Sequence, residues 1–208
     1  MITITAFGQL PPFAQGLSRD LRLRWALEEA GLPYTVDYVN IGEQTGPHNR
    51  ALQPFGQLPS LREDGLTLFE SGAIVHHIAL RSDVLMPRDA DAQARTLTWM
   101  FAALNTMEVA IQQLAEVDLF GIGPELRPQR EDAVKRRLSE LAEWIGDGDY
   151  LEDRFTAADL LMTTVLQILR HTHLVEAEPV LKAYKARCET RPAFQRAYHD
   201  HMATFATA

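Results

Sequence analysis

Hydrophobic and polar residues alternate at the start of the chain. Residues 2–7 alternate with the period of two that a short β-strand shows, and Tyr34–Val39 has the same character. Between them, apolar residues at helical spacing predict a helix that opens at Ser18. Gly31 stands where the left-handed cap at the end of that helix belongs.

A second group of short elements follows an irregular polar stretch. Leu58–Leu61 and Leu66–Phe69 predict two strands, and Asp64-Gly65 is typical of the turn in a β-hairpin. Glu70-Ser71 then leads into an apolar helix. The predicted order is βαβ followed by ββα, a mixed sheet in an α/β domain.

From about residue 89 the apolar spacing is helical only. Leu97, Met100, Leu104, Met107, Ile111 and Leu114 recur every three or four residues and predict one long amphipathic helix. Further helices are predicted at about residues 134–145, 156–171, 178–190 and 192–203. The predicted organisation is an α/β domain at residues 1–81, a linker at 82–89 and an all-helical domain at 90–208.

Composition narrows the class of protein. The chain has 208 residues, and its net charge is 20 − 28 = −8. Its basic residues are scattered, which argues against nucleic acid as a partner. No run approaches the ~20 apolar residues of a membrane span, and residues 1–5 lack a signal core, so we expect a cytoplasmic protein. The single cysteine, Cys188, excludes an internal disulfide and fits a reducing compartment.

Pro59, after Gln57-Leu58, is unusual at the start of a strand because proline cannot donate to the ladder. One interpretation is an edge-strand proline in the common trans form. The other is a cis bond that turns the N–H and C=O of Leu58 outward, free to pair with a peptide-like ligand.

Glu70-Ser71 also has two interpretations. Ser71 is either a helix cap beside a solvated Glu70, or it binds an α-carboxylate together with the helix N-terminal amides. In the second case Glu70 holds the adjacent ammonium, and the pair recognises an amino-acid head group. Because one hairpin separates Pro59 from Glu70, both are expected at one end of the same sheet.

Other polar motifs are predicted to be structural. Thr156 and Asp159 have the spacing of a capping box, in which each side chain bonds the other residue's main-chain amide. Three histidine pairs, the last of them His199 and His201, have no third ligand at metal spacing, so no metal site is predicted. Cys188 is expected to be a packed thiol.

Four segments together resemble the cytosolic glutathione transferases, of the bacterial type in a Zeta-like, Beta-like or unclassified branch. They are FGQLPSL at residues 55–61, DGLTLFESGAI at 64–74, WALEEAGLPY at 25–34 and TAAD at 156–159. The resemblance implies a thioredoxin-like N-terminal domain, a helical-bundle C-terminal domain and a homodimer. For the dimer, Phe55 is expected to act as an anchor in the partner subunit or to pack within its own.

The resemblance also assigns residues to a glutathione site. It makes Leu58, before a cis Pro59, the main-chain partner of the cysteinyl unit, and Glu70 and Ser71 the ligands of the γ-glutamyl end. Gln57 matches a position that reaches the glycyl carboxylate, and Gln44 is similar in placement to a glutamine used there in the Zeta-like branch. No metal is implied.

The group that activates the thiol is the least regular part of the pattern. Phe7 and Phe13 stand near the tyrosine position of some branches and cannot donate a hydrogen bond. Ser18 is the only hydroxyl between the first strand and the helix, and it is the candidate catalytic residue. The alternatives are that Ser18 only caps its helix, and that a main-chain N–H or Gln15 supports the thiolate.

The resemblance thus implies an enzyme in which glutathione thiolate attacks a small hydrophobic electrophile or reduces a peroxide or disulfide. Trp99, Met100, Ala103 and Met107 line either the electrophile pocket or the core of the helical domain. Two alternatives stay open. One is a glutathione-dependent isomerase or dehalogenase, and the other is a non-catalytic binding module of the same fold.

Overall fold

The computed structural model describes residues 1–206, which form two compact units. Residues 1–86 and the last helix make up unit 1, and residues 87–191 make up unit 2. The prediction of a helical domain at 90–208 groups the last helix with unit 2 instead. Spacing identifies a helix but not the surface it covers, and here Phe194 of the last helix packs edge-on against Trp25, with 4.8 Å between ring centroids. The domain boundaries at 81 and 89 stay a prediction.

Unit 1 contains a four-stranded mixed sheet, as predicted. The strands are β1 (Ile2–Phe7), β2 (Tyr34–Val39), β3 (Ser60–Glu63) and β4 (Leu66–Phe69). Their order is β2-β1-β3-β4, with β1 parallel to β2 and antiparallel to β3. β3 begins at Ser60 and not at Leu58 as predicted, because Pro59 has no N–H for the ladder.

The helices, in chain order, are α1 (Asp20–Ala30), α2 (Pro47–Arg50), α3 (Ser71–Ala79), α4 (Ala90–Phe101), α5 (Glu108–Phe120), α6 (Arg127–Ile145), α7 (Ala157–Leu166), α8 (Pro179–Glu189) and α9 (Pro192–Ala206). In unit 1, α1 packs against both α3 and α9. Gly31 ends α1 with φ of 65°, as its position predicted. The short α2 and a 3₁₀ turn at Glu43–Thr45 lie in the stretch predicted to be irregular.

In unit 2 the described residues form helices joined by loops, with no strand among them. The predicted long helix is present as α4 and α5, which a π-helical segment, Ala102–Met107, joins without a break. All ten residues of α7 are buried, so this helix is the core of unit 2. The predicted capping box is confirmed: Asp159 accepts from the amide of Thr156 at 2.8 Å, and the Thr156 side chain caps the first turn. The Tyr184 hydroxyl also donates to Asp159, at 3.0 Å.

Within residues 1–206, no helix combines the length with the apolar character that crossing a bilayer demands.

Candidate functional site

Strand pairing brings the two polar motifs to one end of the sheet. Ser60 of β3 pairs with Phe69 of β4, so Pro59 and Glu70 leave the ladder side by side. This juxtaposition confirms the prediction that both residues lie at one end of the same sheet. β1 runs antiparallel to β3, with Ile4 opposite Leu61, so the loop after β1 starts from the same end.

The peptide bond between Leu58 and Pro59 is cis, as the resemblance implied, and the trans interpretation is wrong. Neither the N–H nor the C=O of Leu58 has a hydrogen-bond partner among residues 1–206. Directly after it, the buried hydroxyl of Thr5 accepts from the amide of Ser60 at 2.7 Å. Leu58 therefore presents an open donor and acceptor on a segment that the sheet holds in place.

Glu70 has an unusual backbone for a residue with a side chain. Its φ is +67° and its ψ is 113°, outside the regions that L-residues ordinarily occupy. Its carboxylate is exposed and has no partner in the described part of the chain. Such conformations persist where the surrounding structure imposes them, and they cluster at functional sites. Glu70 thus offers an unpaired negative charge at the sheet end.

Ser71 is the first residue of α3, and Glu70 occupies the cap position, so the interpretation of Ser71 as the helix cap is wrong. The buried Ser71 hydroxyl accepts a hydrogen bond from Arg22 Nη1 at 3.2 Å. The first amides of a helix lack intrahelical acceptors and carry partial positive charge. The N-terminus of α3, backed by Arg22, is thus suited to a carboxylate, and Glu70 beside it is suited to an ammonium.

Gln57 is exposed, and the buried Gln53 holds it in place. Gln53 Oε1 accepts from the Gln57 amide at 3.0 Å, and its Nε2 donates to Gln57 Oε1 at 3.4 Å. Gln44 is half-buried, and its main-chain oxygen would lie 3.4 Å from a Cβ on Gly56. The structure therefore brings the Gln44 segment against the residue that precedes Gln57. Sequence reasoning missed Gln53, because no local pattern distinguishes it from the neighbouring loop residues.

Ser18 lies before α1 but is not its cap, because Arg19 occupies the cap position. The interpretation of Ser18 as an N-cap is therefore wrong. The Ser18 hydroxyl instead donates to Asp20 Oδ1 at 2.5 Å. Asp20 is buried and also accepts from Arg24 Nε at 2.9 Å.

A buried histidine completes this cluster. His201 of α9 contacts Asp20 Oδ2 through Nδ1 at 3.1 Å, and the Gly16 amide donates to its Nε2 at 3.2 Å. Burial opposes ionisation of Asp20, yet hydrogen bonds from His201 and Ser18 and the Arg24 charge hold the pKa of Asp20 below its usual value. Sequence reasoning considered His201 only as a metal ligand. Its partners lie more than 180 positions away, beyond the reach of any local pattern.

Three other candidate features are a metal site, the thiol of Cys188 and the apolar stripe of the long helix. Within residues 1–206, no three His, Cys, Asp or Glu side chains are grouped to hold a metal ion. Cys188 is buried, and burial raises the pKa of its thiol to about 12. Met100, Ala103 and Met107 are buried, which favours the interpretation of that stripe as core.

A cavity of about 920 Å³ opens between α1, β2 and α9. Arg24, Tyr34, Tyr38 and Thr204 are among its lining residues. None of the predicted site residues lines it, so the candidate site is the sheet end and not this cavity.

Comparison with known proteins agrees with the fold and the motifs. Residues 21–81 match the model of the glutathione S-transferase N-terminal domain, and residues 120–192 match that of the C-terminal domain. Glutathione S-transferase F13 of Arabidopsis thaliana is 30% identical over 168 residues, which cover 71% of this chain and 74% of the relative. The probable glutathione S-transferase GSTF2 of Oryza sativa subsp. japonica is 28% identical, with 82% and 86% of the two chains covered.

A solved glutathione transferase family member from Pseudomonas fluorescens pf-5, which has two glutathione bound, has the same fold. The TM-score is 0.84 at 22% identity, over 95% of this chain and 92% of that one. The chain belongs to the cytosolic glutathione S-transferase family. As a member of it, the protein is a glutathione S-transferase.

Proposed function

We propose that the chain binds glutathione at the end of the sheet and activates its thiol as a thiolate. The observation that carries the proposal is the pair formed by Glu70 and the N-terminus of α3. One offers an unpaired carboxylate, and the other offers helix amides beside the Ser71 hydroxyl. These groups complement the ammonium and the α-carboxylate of the γ-glutamyl end.

The remainder of glutathione is an extended peptide, which suits the edge of a sheet. Leu58 presents its N–H and C=O next to the start of β3, and the cysteinyl unit pairs with both. Gln57, held by Gln53, and Gln44 then lie on the side for the glycyl carboxylate. Glutathione bound to a solved structure of the same fold supports this use of the fold.

Lowering the pKa of the glutathione thiol requires a stabilisation of the thiolate that one or two interactions can supply. A free cysteine thiol has a pKa of about 8.5, so a pKa of about 6.5 requires about 2.7 kcal/mol of preferential stabilisation of the anion. One hydrogen bond to a charged group contributes roughly 1.5–3 kcal/mol. Ser18 is the donor that we propose, with the Ser71 end of α3 adding a smaller electrostatic contribution.

The thiolate then attacks a small hydrophobic electrophile, whose leaving group departs with the bonding electron pair. In the reductive variant, the sulfur attacks a peroxide oxygen or a disulfide sulfur, and the O–O or S–S bond breaks to release an alcohol or a thiol. A second glutathione then attacks the glutathione sulfur, displaces water or the second thiol, and leaves glutathione disulfide. No metal takes part in either reaction. We further propose that the protein acts as a homodimer in the cytoplasm, without membrane or nucleic-acid partners.

Calorimetry and thiolate absorbance test the proposal on the same samples. The wild type is expected to bind glutathione and to conjugate it to a chlorodinitrobenzene electrophile. Glu70→Gln should weaken binding by about 1–3 kcal/mol, because it leaves a charged head group unpaired. Asp64→Asn changes an exposed carboxylate at the other end of the same hairpin and serves as the matched control.

Equal affinity in the wild type and Glu70→Gln would show that glutathione is not bound at the sheet end. Binding without thiolate formation would instead support the non-catalytic module. Conversion of a cis-olefin or a haloalkane in place of conjugation would support the isomerase or dehalogenase.

A further inference from the structure

His201 lies at the centre of a buried polar cluster that includes Asp20 and Arg24. Its side chain is 1% exposed, and its ring packs edge-on against Phe205, with 5.1 Å between centroids. One ring nitrogen contacts the Gly16 amide and the other contacts Asp20. The ring therefore joins the last helix to the loop before α1 on one side and to the first turn of α1 on the other.

The hydrogen-bond partners of His201 define which ring nitrogen carries the proton in the neutral form. A main-chain N–H can only donate, so Nε2 must accept from Gly16 and carries no proton. The ring proton of the neutral form is then on Nδ1 and is donated to Asp20 Oδ2. Arg24 donates to that same oxygen, whereas Ser18 donates to Oδ1.

The two contacts of the ring bracket Ser18 along the chain. Gly16 precedes Ser18 by two residues and has φ of +80°, a conformation that favours glycine. Asp20 follows Ser18 by two residues and accepts a hydrogen bond from its hydroxyl. Loss of the ring removes one hydrogen bond on each side of Ser18, so both the loop and the hydroxyl gain freedom.

We propose that His201 is a positioning residue for thiol activation, holding the Ser18 segment through Gly16 and Asp20. The proposal rests on the proposed function, since it assigns Ser18 the role of donor. It also gives α9 a part in the site, although the helix lies at the far end of the sequence. His201 acts through Ser18 and does not itself touch glutathione.

The experiment compares three replacements of His201. His201→Ala removes both hydrogen bonds, His201→Asn keeps a donor near the Nδ1 position, and His201→Gln keeps an acceptor near the Nε2 position. We expect His201→Ala to lower kcat about tenfold and to raise the pH midpoint of thiolate formation by about one pH unit, with the KM for glutathione within about threefold of the wild type. The variant that keeps the dominant hydrogen bond should recover most of this loss, and the other should stay impaired. His199→Ala, exposed on the same helix, is the matched control and should behave as the wild type.

Unchanged kcat and thiolate midpoint in folded His201→Ala would overturn the proposal. If that variant does not fold, the Asn and Gln variants decide, and wild-type values in both would overturn it. Nitrogen NMR of the wild type gives an independent check: a ring protonated at Nε2 at neutral pH contradicts the assignment. If the wild type itself fails to bind glutathione, the proposed function fails first. Wild-type binding with unchanged His201 variants refutes only the role of His201.

Discussion

The Ser18 hydroxyl donates a hydrogen bond to Asp20, with 2.5 Å between Ser18 Oγ and Asp20 Oδ1. A hydroxyl has one proton to donate, so Ser18 can serve a thiolate only by turning away from this carboxylate. Asp20 keeps hydrogen bonds from Arg24 and His201 when that happens, so the buried carboxylate is not left without donors. Rotation of Ser18 is therefore the conformational step on which its proposed role depends.

Replacement of Ser18 by alanine tests that role. We expect the pKa of bound glutathione to rise by roughly one to two pH units and turnover to fall about 10–100-fold. Affinity for glutathione should change much less, because Leu58, Glu70 and Ser71 hold the ligand independently of its sulfur. Thiolate absorbance titrated against pH measures the first effect, and steady-state kinetics measures the second.

Ser18→Thr is the matched control, because it keeps a hydroxyl and should keep most of the activity. If the thiol pKa is the same in Ser18→Ala as in the wild type, the role passes to a main-chain N–H of the loop or to Gln15.

The backbone conformation of Glu70 is predicted to lower the stability of the folded chain, while its carboxylate contributes to glutathione binding. Glycine adopts a φ of +67° freely, so Glu70→Gly should raise the free energy of unfolding by about 1 kcal/mol after its own entropy cost is subtracted. The same change removes the carboxylate and should weaken glutathione binding at least tenfold. Thermal melts and calorimetry on one preparation measure both.

Asp64→Gly controls for the backbone effect, since Asp64 has φ of 48° in the hairpin turn and no place in the proposed site. It should change stability by a few tenths of a kcal/mol and leave binding unaltered. A loss of stability in Glu70→Gly would contradict the prediction of backbone strain at this residue.

Local signals account for most of the fold that could be predicted from sequence. Gly31, the Asp64-Gly65 turn and the Thr156 capping box each encode their conformation within a few residues, and all three are present. The π-helical segment at 102–107 left no such signal, because apolar spacing continues through it. The packing of α9 in unit 1 depends on its contact with α1, which spacing does not specify.

The candidate site divides in the same way. The positions of Leu58 and Glu70 followed from hairpin geometry, and the cis form of Pro59 followed only from the resemblance. The contact of His201 with Asp20 was not predictable, because it joins residues far apart in the chain through a fold that spacing describes only coarsely. The assigned roles stay predictions, and the variants above test them.

Cys188 is predicted to be unreactive in the folded protein. Burial raises its pKa to about 12, so almost no thiolate exists at neutral pH. A disulfide reagent added at pH ~8 should label the native chain only as fast as it unfolds and should label it at once in denaturant. Rapid stoichiometric labelling of native protein would show that the thiol is accessible after all.

Phe55 is predicted to anchor a homodimer. Its side chain is 67% exposed. Among the described residues, the one aromatic ring that it contacts is that of Phe69, edge-on, with 6.2 Å between the ring centroids. Phe55→Asp should convert a dimer into a particle of the 23.4 kDa chain mass, as measured by light scattering at micromolar concentration. Phe120→Asp, an equally polar change at an exposed aromatic in unit 2, should leave the dimer intact. A wild type that is already monomeric would refute the prediction.

Asp159 is predicted to make the free energy of unfolding fall as pH rises, the opposite of a carboxylate whose pKa is lowered by folding. Burial outweighs the hydrogen bonds from Leu151, Thr156 and Tyr184 and raises the pKa of Asp159 from 3.8 to about 6. The folded chain therefore binds a proton that the unfolded chain has already lost between these two values, and the free energy of unfolding falls as pH rises through that window. Relative to Asp159→Asn, which cannot titrate, the wild type should lose up to about 3 kcal/mol between pH ~4 and pH ~7. Urea unfolding of both proteins at the two pH values measures this difference, because other titrations cancel between them. If the wild type instead gains stability relative to Asp159→Asn as pH rises, the hydrogen bonds outweigh burial and lower the pKa of Asp159.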